Sequence, residues 1–202
     1  MSLGDRRTAT RDALASLKLV RIGDPITQDS LESFADKIVE AFYYLIQDIS
    51  LVQYDPPPFE EIEARLLTRS LDAEVGGHIL GVTGADLLDS TGAEFFRFMF
   101  GGKDNSNDVA VVSTRRLGGD GGEVSSELTG ARLLKVAIHE LGHNFGLLHH
   151  YGHDKADDGA YCPMTKGDFN RFGERGYVRA VIDARGFRFC RGCETFLRER
   201  FA

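Results

Sequence analysis

Hydrophobic and polar residues alternate with two different periods along the first part of the chain, and the order of these periods predicts strands and helices in turn. The apolar residues of Lys18–Ile22 and Ile49–Tyr54 recur every second residue, as in a half-buried strand. The segments Asp29–Gln47 and Phe59–Leu71 instead place them at the three- and four-residue intervals of an amphipathic helix. The predicted order is therefore strand, helix, strand, helix.

Three more apolar segments in the middle of the chain predict further strands. His78–Val82 follows a Gly-Gly pair, while Phe95–Phe100 and Val109–Ser113 are separated by a turn rich in Gly, Asn and Asp. The last two segments are expected to form a hairpin. Because two crossover units precede this hairpin, we predict an α/β fold with a mixed five-stranded sheet, mostly parallel, that has one antiparallel edge strand.

The last third of the chain combines one strongly apolar helix with a loop-rich tail. The segment 126–145 has a broad apolar face and is predicted to form the most apolar helix of the chain. From Gly146 onward, Gly, Asp and His dominate. We therefore predict a single domain over residues 1–202, with an N-terminal subdomain of about residues 4–146 and a short C-terminal subdomain of residues 147–202.

Composition and charge exclude several classes of partner. The 31 acidic side chains outnumber the 24 basic ones, the formal net charge is −7, and no run of basic residues offers a phosphate-binding surface. The apolar stretches fall far short of the ~18 residues that span a bilayer. The first residues lack the apolar core of a secretory signal. We therefore expect a cytoplasmic protein that binds neither nucleic acid nor membrane, and we also expect a monomer.

Five of the six histidines lie within fifteen residues of one another, a clustering that core histidines do not show. His139 and His143 are four residues apart, so a helix presents both imidazoles on one face, where they can bind one zinc ion. Glu140 is offset from them, next to the metal rather than on it, where it can take a proton from a metal-bound water. Gly146 can end the helix in the left-handed conformation and return the chain with His149 as the third ligand.

The full pattern HExxHxxGxxH is much more specific than its first half. HExxH by itself arises in many helices by chance, and a decayed or non-metal helix is the alternative interpretation. A match at all five defined positions has chance odds of roughly 4 in 100,000 at this chain's own residue frequencies. Three ligands leave the fourth position of zinc open for water or substrate, as in catalytic sites. The sequence thus predicts a catalytic zinc ion.

Three cysteines stand in the last 41 residues, and an odd number cannot be paired into a disulfide framework. Cys190 and Cys193 form a CxxC pair, and Cys162 lies upstream. A redox pair is the alternative interpretation of CxxC, but that use favours a helix start within a βαβ unit. Three cysteines with one histidine are a common ligand set for structural zinc, so we predict a second zinc ion that stabilises the small C-terminal part.

These motifs resemble those of a known group of peptidases. The string HELGHNFGLLH, residues 139–149, matches the zinc-binding signature of the metzincins, and the later CPM and FCRGC segments are similar to the archaemetzincin family. The resemblance implies a metzincin-like zincin fold, in which residues 126–145 are the active-site helix across the sheet. It also implies two zinc ions per chain, one catalytic and one structural. It also implies that Met164 is the methionine of the Met-turn, an apolar floor below the catalytic zinc that does not touch the ion.

The resemblance further implies a zinc-dependent metallopeptidase. A zinc-bound water activated by Glu140 would attack the peptide bond, and the antiparallel edge strand would bind an extended peptide substrate. Small peptides or unfolded N-termini are the substrates that the family implies. Two alternatives stay open: a catalytically weak or inactive peptide-binding module that keeps the fold and both metals, and a thiol redox protein with an incidental histidine cluster.

The chain departs from the archaemetzincin pattern around the second zinc site. In the family a cysteine directly follows the third histidine, whereas this chain has His150 there. Eleven residues, 151–161, then precede Cys162, and 25 residues separate Met164 from Cys190. Both distances are longer than those of the family pattern.

The fourth ligand of the second site has two candidates beside the three cysteines. His150 occupies the family's cysteine position, and adjacent residues of an extended segment point to opposite sides, so His149 and His150 can serve different metals. His153, three residues into the insertion, is the alternative. The predicted ligands of the structural zinc are Cys162, Cys190, Cys193 and His150, with His153 as the alternative to His150.

Overall fold

The computed structural model describes residues 15–89, 98–118, 126–150, 154–167 and 169–201. Its strands are β1 (Ala15–Ile22), β2 (Ile46–Tyr54), β3 (Glu61–Glu63), β4 (His78–Thr83), β5 (Asp86–Leu88), β6 (Gly101–Lys103) and β7 (Val109–Ser113). Its helices are α1 (Gln28–Ala41), α2 (Ala64–Glu74), α3 (Ser126–Asn144), α4 (Phe169–Tyr177) and α5 (Arg191–Phe201), and a π-helical segment, Val178–Ile182, follows α4.

Five strands form one mixed sheet in the order β2-β1-β4-β7-β6, which confirms the predicted fold class. The first four strands in this order are parallel to their neighbours, and β6 runs antiparallel to β7. The side chains of β1 show how the sheet is covered: Leu17 and Leu19 join the cluster formed with α1 and α3, while Val20 and Ile22 join the cluster formed with α2. Every residue of β7 is buried, because helices lie on both faces of the sheet.

The edge strand differs from the sequence-based prediction. Residues 95–97 of the predicted strand Phe95–Phe100 lie outside the described ranges, and the strand that pairs with β7 is Gly101–Lys103. A β-carbon at Gly101 would lie 2.7 Å from Cγ of Glu140, so a glycine is needed where β6 approaches α3 this closely. The aromatic residue before it packs elsewhere, since the Phe100 ring stacks on Tyr177 with centroids 6.0 Å apart.

The second helix begins later than its apolar pattern indicates. The prediction placed its start at Phe59, but residues 61–63 form β3, which pairs in parallel with β5. The helix therefore starts at Ala64. A three-residue strand is too short to show a clear period, and its partner lies 25 residues further along the chain.

Residues of the C-terminal helix α5 pack into the same hydrophobic core as α3. Cys193 and Leu197 of α5 belong to the same buried cluster as Leu141 of α3. Arg132 of α3 also forms a bidentate ion pair with Asp183, with N–O distances of 2.8 and 2.7 Å. Among the described residues no helix combines the length and apolarity needed to cross a membrane.

Candidate metal centres

The end of α3 positions the first cluster of histidines. His139 and His143 lie one turn apart near the end of this helix, which stops at Asn144. Gly146 has φ of +90°, and its N–H donates to the carbonyl oxygen of His143 at 2.9 Å. This left-handed residue reverses the chain, so His149 returns towards the two helical histidines.

The three imidazoles converge through their Nε2 atoms. The distances are 3.3 Å between His139 and His143, 3.0 Å between His143 and His149, and 3.1 Å between His149 and His139. Nitrogen ligands at 2.0–2.1 Å from a tetrahedral zinc ion lie about 3.3 Å apart. The donor atoms therefore have the spacing that one zinc ion requires.

Backbone carbonyl groups orient these rings from behind. Nδ1 of His139 lies 2.7 Å from the carbonyl oxygen of Pro163, and Nδ1 of His143 lies 2.8 Å from that of Leu147. When Nδ1 donates its hydrogen, the lone pair is on Nε2, which is the tautomer that binds a metal. Burial lowers the pKa of both histidines and lowers that of His149 to about 4, so all three are neutral near pH 7.

Glu140 lies beside the histidine cluster and not within it. Its residue is only 9% exposed, and its side chain packs against the backbone of β6 at Gly101. Burial raises the pKa of this carboxyl from 4.5 to about 7, while the charges of Arg185 and Lys103 act in the opposite direction. A carboxyl with such a pKa can both accept and donate a proton near neutral pH.

Met164 is fully buried below α3. A β-carbon added at Gly142 would lie 2.5 Å from its Sδ atom, so the thioether fills the space under this glycine. The preceding residue, Pro163, is the one whose carbonyl oxygen contacts His139. The turn that contains Met164 thus supports the helix that carries the first two histidines.

A second cluster joins His150 to the three cysteines. Its Nε2 lies 3.0 Å from Sγ of Cys193 and 3.4 Å from Sγ of Cys190, and the sulfurs of Cys162 and Cys193 are 3.9 Å apart. Ligands of a tetrahedral zinc ion with Zn–S bonds of about 2.3 Å would lie roughly 3.5 Å (N to S) and 3.8 Å (S to S) apart. The four donors fit one zinc ion, whereas His153 lies outside the described residues.

The thiols are buried and influence one another. The pKa of Cys162 is lowered to about 5 because its sulfur interacts with Cys193 and accepts from the backbone N–H of Cys190. Burial raises the pKa of Cys190, and the contact with Cys162 raises that of Cys193. The cluster therefore favours a thiolate at Cys162, which is the ligand form of cysteine.

Arg185 is a buried cation near both clusters that sequence reasoning missed. It is 4% exposed, and its Nε and Nη2 donate to the carbonyl oxygen of Thr165 at 3.2 and 2.7 Å. Its charge also lowers the pKa of Glu140, and it does so more than the charge of Lys103 does. No local motif marks Arg185, because its partner Thr165 lies 20 residues earlier in the chain.

Comparisons with known proteins find similarity to a peptidase family and to archaemetzincins. A family model described as Peptidase M66 matches residues 103–171. A curated archaemetzincin of Pyrococcus furiosus is 31% identical over 126 residues, which cover 60% of this chain and 54% of that protein. A second archaemetzincin, of Methanocaldococcus jannaschii, is 27% identical over 144 residues, covering 69% and 68%.

A crystal structure extends the similarity to nearly the whole chain. The archaemetzincin of Methanopyrus kandleri aligns with a TM-score of 0.67 and 25% identity, over 92% of this chain and 94% of that one. This chain is similar to the archaemetzincins in sequence and in fold. A further archaemetzincin structure, from Archaeoglobus fulgidus in complex with malonate, shares the fold with a TM-score of 0.60 at 21% identity.

The archaemetzincin similarity differs in extent between the comparisons. The chain spans about half of the length of the Pyrococcus furiosus archaemetzincin, 54%. The Peptidase M66 match includes all three histidines of the first cluster and Met164, but it ends before Cys190 and Cys193. The two clusters and their donor sets are consistent with two zinc sites in this chain.

Proposed function

We propose that this protein is a zinc metallopeptidase whose catalytic ion is held by His139, His143 and His149. The observation that carries the proposal is the convergence of three Nε2 atoms at 3.0–3.3 Å, with Glu140 buried beside them. Three protein ligands leave one position for water or substrate, which is the arrangement of catalytic zinc. Homology to archaemetzincins and the Peptidase M66 match support the same assignment.

The zinc ion and Glu140 would have separate roles in peptide hydrolysis. When bound, zinc supplies a Lewis acid that polarises the carbonyl of the scissile peptide bond. Glu140 takes a proton from the attacking water molecule and delivers it to the leaving amine. Without the ion, burial raises the pKa of this carboxyl from 4.5 to about 7.

The second cluster has a structural role in this proposal. Cys162, Cys190, Cys193 and His150 fill all four positions of a zinc ion and leave none for substrate. The ligands come from three separate segments, so the ion would hold residues 147–202, the proposed C-terminal subdomain, as one unit. Met164, two residues after Cys162 along the chain, would be the apolar floor of the catalytic site.

Extended peptides are the proposed substrates, with small peptides and unfolded N-termini favoured. Strand β6 lies at the edge of the sheet beside Glu140, so a peptide can add to it as a further strand. A peptide held there would place a backbone carbonyl near the histidine cluster. We propose a monomer that acts on such peptides.

A peptide-library assay with the zinc-loaded protein tests the proposal. The wild type should cleave peptides, and Glu140→Gln should lower the rate by about 10²- to 10⁴-fold while zinc content stays the same. Glu127→Gln is the matched control, since Glu127 is an exposed carboxylate in the first turn of the same helix. Binding of peptides without cleavage by the wild type would instead support the alternative, a peptide-binding module.

A further inference from the structure

His150 has a carboxylate behind its ring. Its Nδ1 lies 3.2 Å from Oδ2 of Asp154, while its Nε2 faces the sulfurs of Cys190 and Cys193. The two ring nitrogens therefore have different partners on opposite sides. An Nδ1–H that points at a carboxylate leaves the lone pair on Nε2, where the metal binds.

The backbone fixes Asp154 relative to the cysteine ligands. Its carbonyl oxygen accepts a hydrogen bond from the N–H of Cys162 at 2.9 Å. Between these two residues the chain turns back on itself, with the N–H of Ala156 donating to the carbonyl oxygen of Ala160 at 2.9 Å. The backbone position of Asp154 is thus tied to that of Cys162, whose thiol belongs to the same cluster as His150.

A histidine needs such support more than a cysteine does. The imidazole stands on two rotatable bonds and can turn its ring away, and as a neutral ligand it lacks the charge of a thiolate. An acceptor at Nδ1 restrains the rotation of the ring and makes Nε2 more basic. This chain has a histidine at position 150 and also a carboxylate that can support it. The carboxylate belongs to Asp154, one of the eleven residues, 151–161, that separate His150 from Cys162.

We propose that Asp154 is a positioning residue that orients His150 towards the three thiolates and strengthens zinc binding at this site. The proposal rests on the structural zinc site described under the proposed function. The side chain of Asp154 is 58% exposed, so its effect is expected at the lower end of the range for groups that orient metal ligands, about tenfold in affinity.

Metal titration of the full chain tests this role. Cobalt(II) reports the thiolate site separately, because only bound thiolates give sulfur-to-cobalt charge-transfer absorption in the near ultraviolet. Competition between the protein and a chelator, followed by this band, gives the affinity of the site in each variant. Asp154→Ala is expected to weaken binding about tenfold and to change the cobalt spectrum, since the His150 ring is no longer held.

Two further variants separate positioning from other effects. Asp154→Asn keeps an oxygen acceptor for Nδ1–H and should recover most of the affinity. Asp157→Ala removes an exposed carboxylate from the same loop and should leave affinity and spectrum unchanged. Circular dichroism of the metal-loaded proteins checks that each variant is folded.

The outcomes distinguish this proposal from the site on which it rests. If the wild type shows no sulfur-to-cobalt band, the structural zinc site itself is wrong. If the wild type shows the band and Asp154→Ala binds cobalt with the same affinity and spectrum, Asp154 does not position His150. An equal loss in Asp154→Asn and Asp154→Ala would also overturn the proposal, because it would assign the effect to charge alone.

Discussion

His149 and His150 are joined by a single peptide bond, and their side chains enter two different clusters. Nε2 of His149 lies 3.0 Å from Nε2 of His143, whereas Nε2 of His150 lies 3.0 Å from Sγ of Cys193. The backbone between the clusters is fixed as well, since the N–H of His150 donates to the carbonyl oxygen of Met164 at 2.9 Å. The position of the third histidine therefore depends on the segment that the cysteine cluster holds.

Metal content is the first prediction. The purified chain should contain two zinc ions, of which the one at the histidine cluster is removed first by a chelator, because an open three-ligand site is weaker than a closed thiolate site. His139→Ala should leave one ion, and the double variant Cys190→Ser with Cys193→Ser should lose the other. Elemental analysis measures both. Two ions retained in the double variant would show that the cysteines hold no metal.

The identity of the fourth structural ligand is the second prediction. His150→Ala should abolish tight binding of the second zinc ion, because His150 is the nitrogen ligand within 3.4 Å of two sulfurs. His153→Ala is the matched control and should retain both ions. Zinc-binding titrations of the two variants decide between them. Loss of zinc in His153→Ala, with retention in His150→Ala, would assign the ligand to the insertion.

The pH dependence of stability is the third prediction, and it concerns Glu140 in the metal-free protein. Burial raises the pKa of this carboxyl from 4.5 to about 7, so between these values the folded protein holds a proton that the unfolded chain has released. The stabilisation is present below about pH 4.5 and is lost as the pH rises through 7. The loss amounts to about 3 kcal/mol in the free energy of unfolding.

Glu140→Gln isolates this effect because it has the same shape without the ionisable group. Denaturant unfolding of both proteins without zinc, at about pH 5 and about pH 8, gives the difference in their free energies of unfolding. Between these two pH values the wild type should lose about 2–3 kcal/mol relative to the variant. The three histidines are common to both proteins, so their titration largely cancels. A difference that is independent of pH would contradict the prediction.

The contact between Gly142 and Met164 gives the fourth prediction. Gly142→Ala should lower stability by about 1–3 kcal/mol, because its β-carbon would lie 2.5 Å from Sδ of a fully buried methionine. It should also weaken zinc binding at the histidine cluster, since the displaced turn carries Pro163, which contacts His139. Thermal unfolding and chelator competition measure the two effects.

Gly130→Ala is the control for this substitution on the same helix. A β-carbon at Gly130 meets nothing within 4 Å, and alanine favours the helix over glycine by about 0.5–1 kcal/mol. The control should therefore be slightly more stable than the wild type and bind zinc equally well. Equal behaviour of the two variants would mean that Met164 does not press against α3.

The sequence by itself determined those parts of the protein that depend on residues close together in the chain. The four-residue spacing of His139 and His143 and the left-handed turn at Gly146 are local properties, so the histidine cluster could be predicted from the motif alone. The alternation of strand and helix periods likewise predicted the five-stranded mixed sheet, which the structure confirms. Hydrophobic periodicity carries this information because each element buries one face of its own side chains.

Tertiary structure alone decided which distant residues meet. The edge strand that pairs with β7 is Gly101–Lys103, where the approach of α3 leaves no room for a β-carbon at Gly101. Arg185 reaches Thr165, and Asp154 reaches the ring of His150, without any motif that marks them. Such contacts join side chains through space, and the period of a single segment records only which face is buried, not what lies against it.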